Sequence, residues 1–184
     1  MLTSISTLGR MAIAAALFGI VTPVEAQESD GVVSRFSSIW THDCTETGNG
    51  GNTEDWISYR CEGEGGLAVF LLFTDSVRLS LGFGDRTSML GPYSAQREQN
   101  WPVEWRGRMV EGGFVPRAAI VRMRVPPELD DSGRGGSGLV VFRVGDESCV
   151  IGEVRGAGAN ERARRMADEG QCTSNGPGAG LRAG

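Results

Sequence analysis

The residues able to do chemistry are few, and they set the first boundary on function. The chain holds one histidine, His42, and four cysteines, Cys44, Cys61, Cys149 and Cys172. A serine or cysteine nucleophile needs a neighbouring base, usually histidine, and the single histidine stands two residues before a cysteine. Zinc sites combine spacings such as C-x-x-C with histidines, a pattern this chain lacks, so no metal or other cofactor is expected. Gly133–Gly138 reads Gly-Arg-Gly-Gly-Ser-Gly, matching G-x-G-x-x-G letter for letter. That fingerprint works only between a strand and a helix N-terminus, and here it leads into the strand-like Leu139–Val144. Glu128, Asp130 and Asp131 beside Gly133 lack the alternating carboxylates and closing glutamate of a calcium loop. Paired carboxylates for glycosidic hydrolysis depend on their separation in the fold, so a small hydrolase built on loop acids is kept as an alternative.

What the residues offer more readily is recognition. Tyr93, Arg97, Trp101, Trp105, Arg106 and Arg108 concentrate aromatic and guanidinium groups in one short segment, and these residue types dominate the energetics of protein interfaces. Trp105 is expected to anchor this segment in the core, with Tyr93, Arg97 and Trp101 projecting outward. Arg106 and Arg108 suit a carboxylate by bidentate hydrogen bonding. The first reading is therefore a non-enzymatic binding protein whose partner is another protein or a small acidic ligand; an envelope structural protein is the other alternative.

Compartment follows from the leader and the cysteines. Arg10 precedes an apolar run, Met11–Val21, and a short segment ending Val24-Glu25-Ala26, the pattern of a secretory signal peptide cleaved after Ala26. The run is about half of the ~20 residues a spanning helix needs, so no membrane insertion is expected after cleavage. An even number of cysteines in an exported chain reads as disulfides. The sequence-local pairs Cys44–Cys61 and Cys149–Cys172 are favoured, because each closes a short loop between elements expected to be neighbours. A periplasmic or secreted location results. All 18 basic residues are arginine, and the net charge is −5, which gives no general attraction to nucleic acid or anionic lipid.

The elements that must position these groups are mostly strands. Trp56–Cys61, Leu67–Phe73, Val77–Phe83, Val103–Arg106, Pro116–Val125, Leu139–Val144 and Cys149–Arg155 show alternating or continuous apolar character. Thr45–Glu54, Gly84–Pro102 and Pro126–Gly138 read as connections. One helix is expected over Glu161–Glu169 with Asn160 as N-cap and Gly170 as its stop. The domain, residues 27–172, is thus expected to be mainly β: an antiparallel sandwich or partly closed barrel of about eight strands, with one short C-terminal helix and two disulfides. Residues 173–184 lack apolar content and read as a disordered tail.

The order of Cys44, Phe83-Gly84, Glu104-Trp105-Arg106, Ala119-Ile120-Val121-Arg122, Leu139-Val140-Val141, Cys149-Val150-Ile151 and the Asn160 to Cys172 end resembles a group of small exported proteins of Gram-negative bacteria that carry no assigned function. The resemblance implies a periplasmic location and the last disulfide, and brings no ligand or catalytic residue. Tyr59-Arg60-Cys61 is also similar to the strand opening of periplasmic inhibitors of C-type lysozyme. Those inhibitors place a serine and a lysine in the lysozyme cleft, and this chain contains no lysine.

Overall fold

The computed structural model describes residues 31–51, 55–75, 77–84, 88–125 and 136–172. The leader, residues 126–135 of the acidic loop and the tail from residue 173 lie outside them. The strands, in chain order, are β1 (Val32–Ile39), β2 (Thr45–Asn49), β3 (Ile57–Glu62), β4 (Ala68–Phe73), β5 (Arg78–Phe83), β6 (Leu90–Ser94), β7 (Trp101–Val110), β8 (Gly113–Val125), β9 (Gly136–Arg143) and β10 (Cys149–Val154), followed by the helix α1 (Ala159–Glu169). All pairings are antiparallel. Eight strands form one path, β1-β7-β8-β6-β5-β4-β3-β2, and β9 and β10 continue from β8. The path curls into a half-barrel, as the mainly β reading requires.

β8 is the hinge of this arrangement. It runs for 13 residues, beside β7 as far as Val121 and then beside Ser94 of β6 at Arg124. One long strand thereby belongs to both halves of a single curled sheet. Where β7 and β8 shift register between Arg106 and Gly107, a side chain at position 107 would collide with the Val115 carbonyl and the Phe114 ring. The bulge therefore demands glycine.

Alternation along each strand divides apolar side chains between two cores. Val103, Trp105, Ala119, Val121, Met123, Val140, Phe142 and Val150 face the interior of the half-barrel, where they meet Val69, Leu71, Phe73, Leu79, Leu81 and Phe83. Ile120, Leu139, Val141, Ile151 and Val154 face outward and are covered by Ala159, Ala163, Met166 and Ala167 of α1. The helix thus packs on the outer face of the curled sheet, opposite the interior core. The two disulfides join Cys44 to Cys61 and Cys149 to Cys172, with Cα separations of 4.4 and 5.7 Å. The first ties the corner between β1 and β2 to β3; the second ties the end of α1 to the start of β10.

Several boundaries differ from the sequence reading. β2 and β6 arise where connections were expected, β1 forms in a stretch to which no element was assigned, and β7 is longer than Val103–Arg106. α1 starts at Ala159, so Asn160 lies inside it and Gly158, at φ 68°, occupies the N-cap without a side-chain hydrogen bond. Arg162 explains the earlier start: its guanidinium donates to the carbonyls of Ala157 and Arg155, holding the chain in the first turn.

Trp101 is 3% exposed and lies against Phe73 with ring centroids 6.1 Å apart. Its outward projection is corrected: it begins β7 on the inward face, two residues from Val103. Replacing Trp101 by alanine should then cost about 3–5 kcal/mol of stability, read as a lower urea midpoint at an unchanged m-value.

Candidate binding site

The outward face of the β1-β7-β8-β9 sheet can be read in rows from its register. One row is Ser34, Arg106, Ala118 and Arg143; the next is Phe36, Glu104, Ile120 and Val141. Beyond these, Ser38 sits opposite Pro102 and Arg122 opposite Leu139. α1 lies over the first two rows. Asp168 accepts two hydrogen bonds from Arg106, at 2.9 and 2.6 Å, and Glu104 accepts two from Arg164, at 2.7 and 3.2 Å. Ser34 joins the two pairs: Arg106 Nη1 donates to its hydroxyl, which donates to Glu104 Oε1.

This spacing has a geometric basis. Four residues of helix advance about 6 Å, and two residues of strand advance about 6.6 Å, so Arg164 and Asp168 fall over Glu104 and Arg106. The polarity is inverted between the pairs. A slip of one helical turn would set Arg164 on Arg106 or Asp168 on Glu104, so like charges oppose every neighbouring register. The hydrogen bonds to Glu104, more than its neighbouring charges, raise the pKa of Arg164 further above its ordinary value.

One turn earlier, the same helix face carries Asn160, which makes no ion pair with the sheet. There the covering stops and a groove of about 490 Å³ opens. Ile120, Leu139 and Pro102 contribute apolar surface, Phe36 stands at the β1 side, Asn160 and Arg164 form the helix side, and Gln99, Asn100 and Arg122 close the end. Phe36 is 66% exposed. The Arg122 side chain is exposed and has no hydrogen-bond or ion-pair partner among the described residues, and the Oδ1 atom of Asn100 is buried without one. Gln99 and Arg122 also line an adjoining, more polar groove of about 570 Å³ with Arg124, Ser94, Ser137 and Trp101. The combination can hold an apolar body, fix one anionic group by a charge-assisted hydrogen bond, and read polarity through two or three amides.

The residues singled out from sequence are placed differently. Arg106 is 8% exposed and committed to Asp168 and Ser34, so its guanidinium holds the helix. Arg97 is half-buried, and its carbonyl accepts a hydrogen bond from Thr41. Arg108 is half-buried in β7, opposite Val32 and Val115, away from the groove. Trp105 is fully buried as expected, its indole donating to Ser37. His42 is exposed beside Asp43 at 3.2 Å. The G-x-G-x-x-G run ends in β9, and Gly138 leaves the space filled by the Glu153 carboxylate. Arg122, Asn160 and Phe36, which form the groove, were missed as ligand contacts. A signal existed: on the outward face of β8 Ala118 and Ile120 give way to Arg122 and Arg124, which marks where covering ends.

Among the described residues no helix is long and apolar enough to cross a membrane. Compared with protein families, curated proteins and solved structures, the chain matches none.

Tyr93 is fully buried against Phe142, and its hydroxyl has no hydrogen-bond partner among the described residues; its expected outward projection is corrected. Burial, with a smaller contribution from Glu153, raises its pKa well above 10. The unfolded chain releases this proton near pH 10 while the folded state retains it, so stability must fall as pH rises through 10, by up to about 1.4 kcal/mol per pH unit. The chain has two tyrosines and no lysine, so few other side chains obscure the effect. Tyr93→Phe should be neutral or stabilising at pH 7 and should flatten the alkaline decline, measured by urea unfolding between pH 8 and 11.

Proposed function

We propose that this is an exported binding protein of the periplasm or extracellular space, and that its ligand is a small amphipathic molecule carrying one carboxylate or similar anionic group. The observation that carries the reading is the groove beside α1, where apolar surface, an unpaired arginine and side-chain amides converge on a rigid sheet. The apolar floor suits burial of a hydrocarbon or ring system, and Arg122 supplies the one cation of the groove not neutralised by Glu104. The two disulfides and the leader pattern of residues 1–26 support export. Among the described residues lining the groove the one carboxylate, Glu104, is held by Arg164 and Ser34, which supports the binding reading.

The test uses two fluorescent probes of similar shape, anionic 8-anilinonaphthalene-1-sulfonate and neutral N-phenyl-1-naphthylamine. Both should bind the folded protein. A charge-assisted hydrogen bond contributes about 1.5–3 kcal/mol, so Arg122→Gln should weaken the anionic probe roughly tenfold or more and leave the neutral one unchanged. Equal affinity of the variant for the anionic probe, or no binding of either probe, would remove the groove from consideration.

A further inference from the structure

The edges of the sheet are not equally protected. β2 has five residues, a register shift between Glu46 and Gly48 and no large apolar side chain. β10 is shifted between Val150 and Gly152 and packs against α1. β1 pairs with β7 over eight residues without a shift, and its other edge meets no strand among the described residues. It contains no proline, glycine or lysine, and its one charge, Arg35, is drawn to Glu64 at 3.6 Å. Apart from Arg35, whose guanidinium is turned to Glu64 and lies over the Phe114 ring, β1 carries none of the usual devices against edge-to-edge pairing.

Its sequence is also symmetric. From Val32 to Trp40 the residues run apolar, apolar, polar, polar, Phe36, polar, polar, apolar, apolar, and Trp40 continues the extended backbone with φ −121° and ψ 128°. Three of the seven exposed large apolar residues among those described, Val33, Phe36 and Trp40, belong to this stretch.

We infer that β1 is the interface of a two-fold dimer, pairing antiparallel with β1 of a second copy about an axis through Phe36. In that register Phe36 meets its own copy, Val33 meets Ile39, Val32 meets Trp40, Ser34 meets Ser38 and Arg35 meets Ser37. Every apolar residue is opposed by an apolar one, and no like charges face each other. Centring on Arg35 would oppose two guanidinium groups, and centring on Ser37 would set Phe36 against serine. Registers offset by one residue would place inward side chains against outward ones. Charge and pattern therefore select one arrangement, with a second copy as the partner. Phe36 and Ser38 line the ligand groove, so the copy would close its open flank, although the dimer does not depend on what the groove binds.

Molar mass by light scattering tests this on the purified exported protein. The native protein should be dimeric at about 100 µM. Phe36→Arg and Phe36→Glu should each be monomeric with an unchanged circular dichroism spectrum, since Phe36 contributes little to the fold, and a one-to-one mixture should be heavier than either alone. A monomeric native protein, a variant that stays dimeric, or a mixture no heavier than its parts would overturn the inference. Retained probe binding in a monomeric native protein would leave the groove reading standing while this one fails.

Discussion

The inverted ion pairs beneath α1, Arg106 with Asp168 and Glu104 with Arg164, are the constraint on which the outer half of the structure depends. Apolar contacts alone would not fix the helix, because its buried stripe is small: Ala163 is its only fully buried residue. A helix of 11 residues is marginal in isolation, and alanine and methionine against a sheet tolerate sliding. Charges arranged minus-plus on the strand and plus-minus on the helix remove that freedom. Such pairs add little net stability when well made, and their removal one partner at a time is costly; here their value is the choice of position.

Position then creates the groove. With Arg164 and Asp168 over Glu104 and Arg106, the helix leaves the end of the sheet face open, and Pro102 and Arg122 stay exposed there. The Cys149–Cys172 bridge, spanning 23 residues, holds the far end of the same helix to β10 and contributes roughly 3 kcal/mol in the chain-entropy account, whose mechanism is disputed. Helix register, groove and β1 edge lie on one sheet face, so a ligand and a second copy would meet across Phe36.

Much of this was legible in the residue order. Strands with two-residue alternation and a buried inner face, such as Ile57–Glu62 and Arg78–Phe83, were found nearly to the residue, because burial on one face imposes the pattern. The disulfides followed from loop length. Edge strands were not visible: Val32–Ile39 and Thr45–Asn49 bury little and therefore carry no apolar periodicity. Leu90–Ser94 was hidden by Gly91 and Pro92, residues that ordinarily interrupt strands. Among the site residues, Trp101 and Tyr93 misled because aromatic residues serve cores and interfaces alike. Arg106 misled because its partner, Asp168, is remote in sequence, and only the fold could show that its charge was already engaged. Arg122 carried no local mark, since an arginine on a half-exposed strand is ordinary until the uncovered groove beside it is known.

Native-state amide hydrogen exchange in α1, across a double-mutant cycle of Arg106→Met and Asp168→Leu, tests most directly whether the ion pairs hold the helix to the sheet. Each single substitution leaves a partly buried charge without its partner and should cost about 3 kcal/mol, with α1 amides losing protection while β4 and β5 keep theirs. The double substitution should restore most of that protection, because neither charge is then left uncompensated. Protection of α1 unchanged in both single variants would contradict the account and assign the helix position to the disulfide and apolar contacts alone.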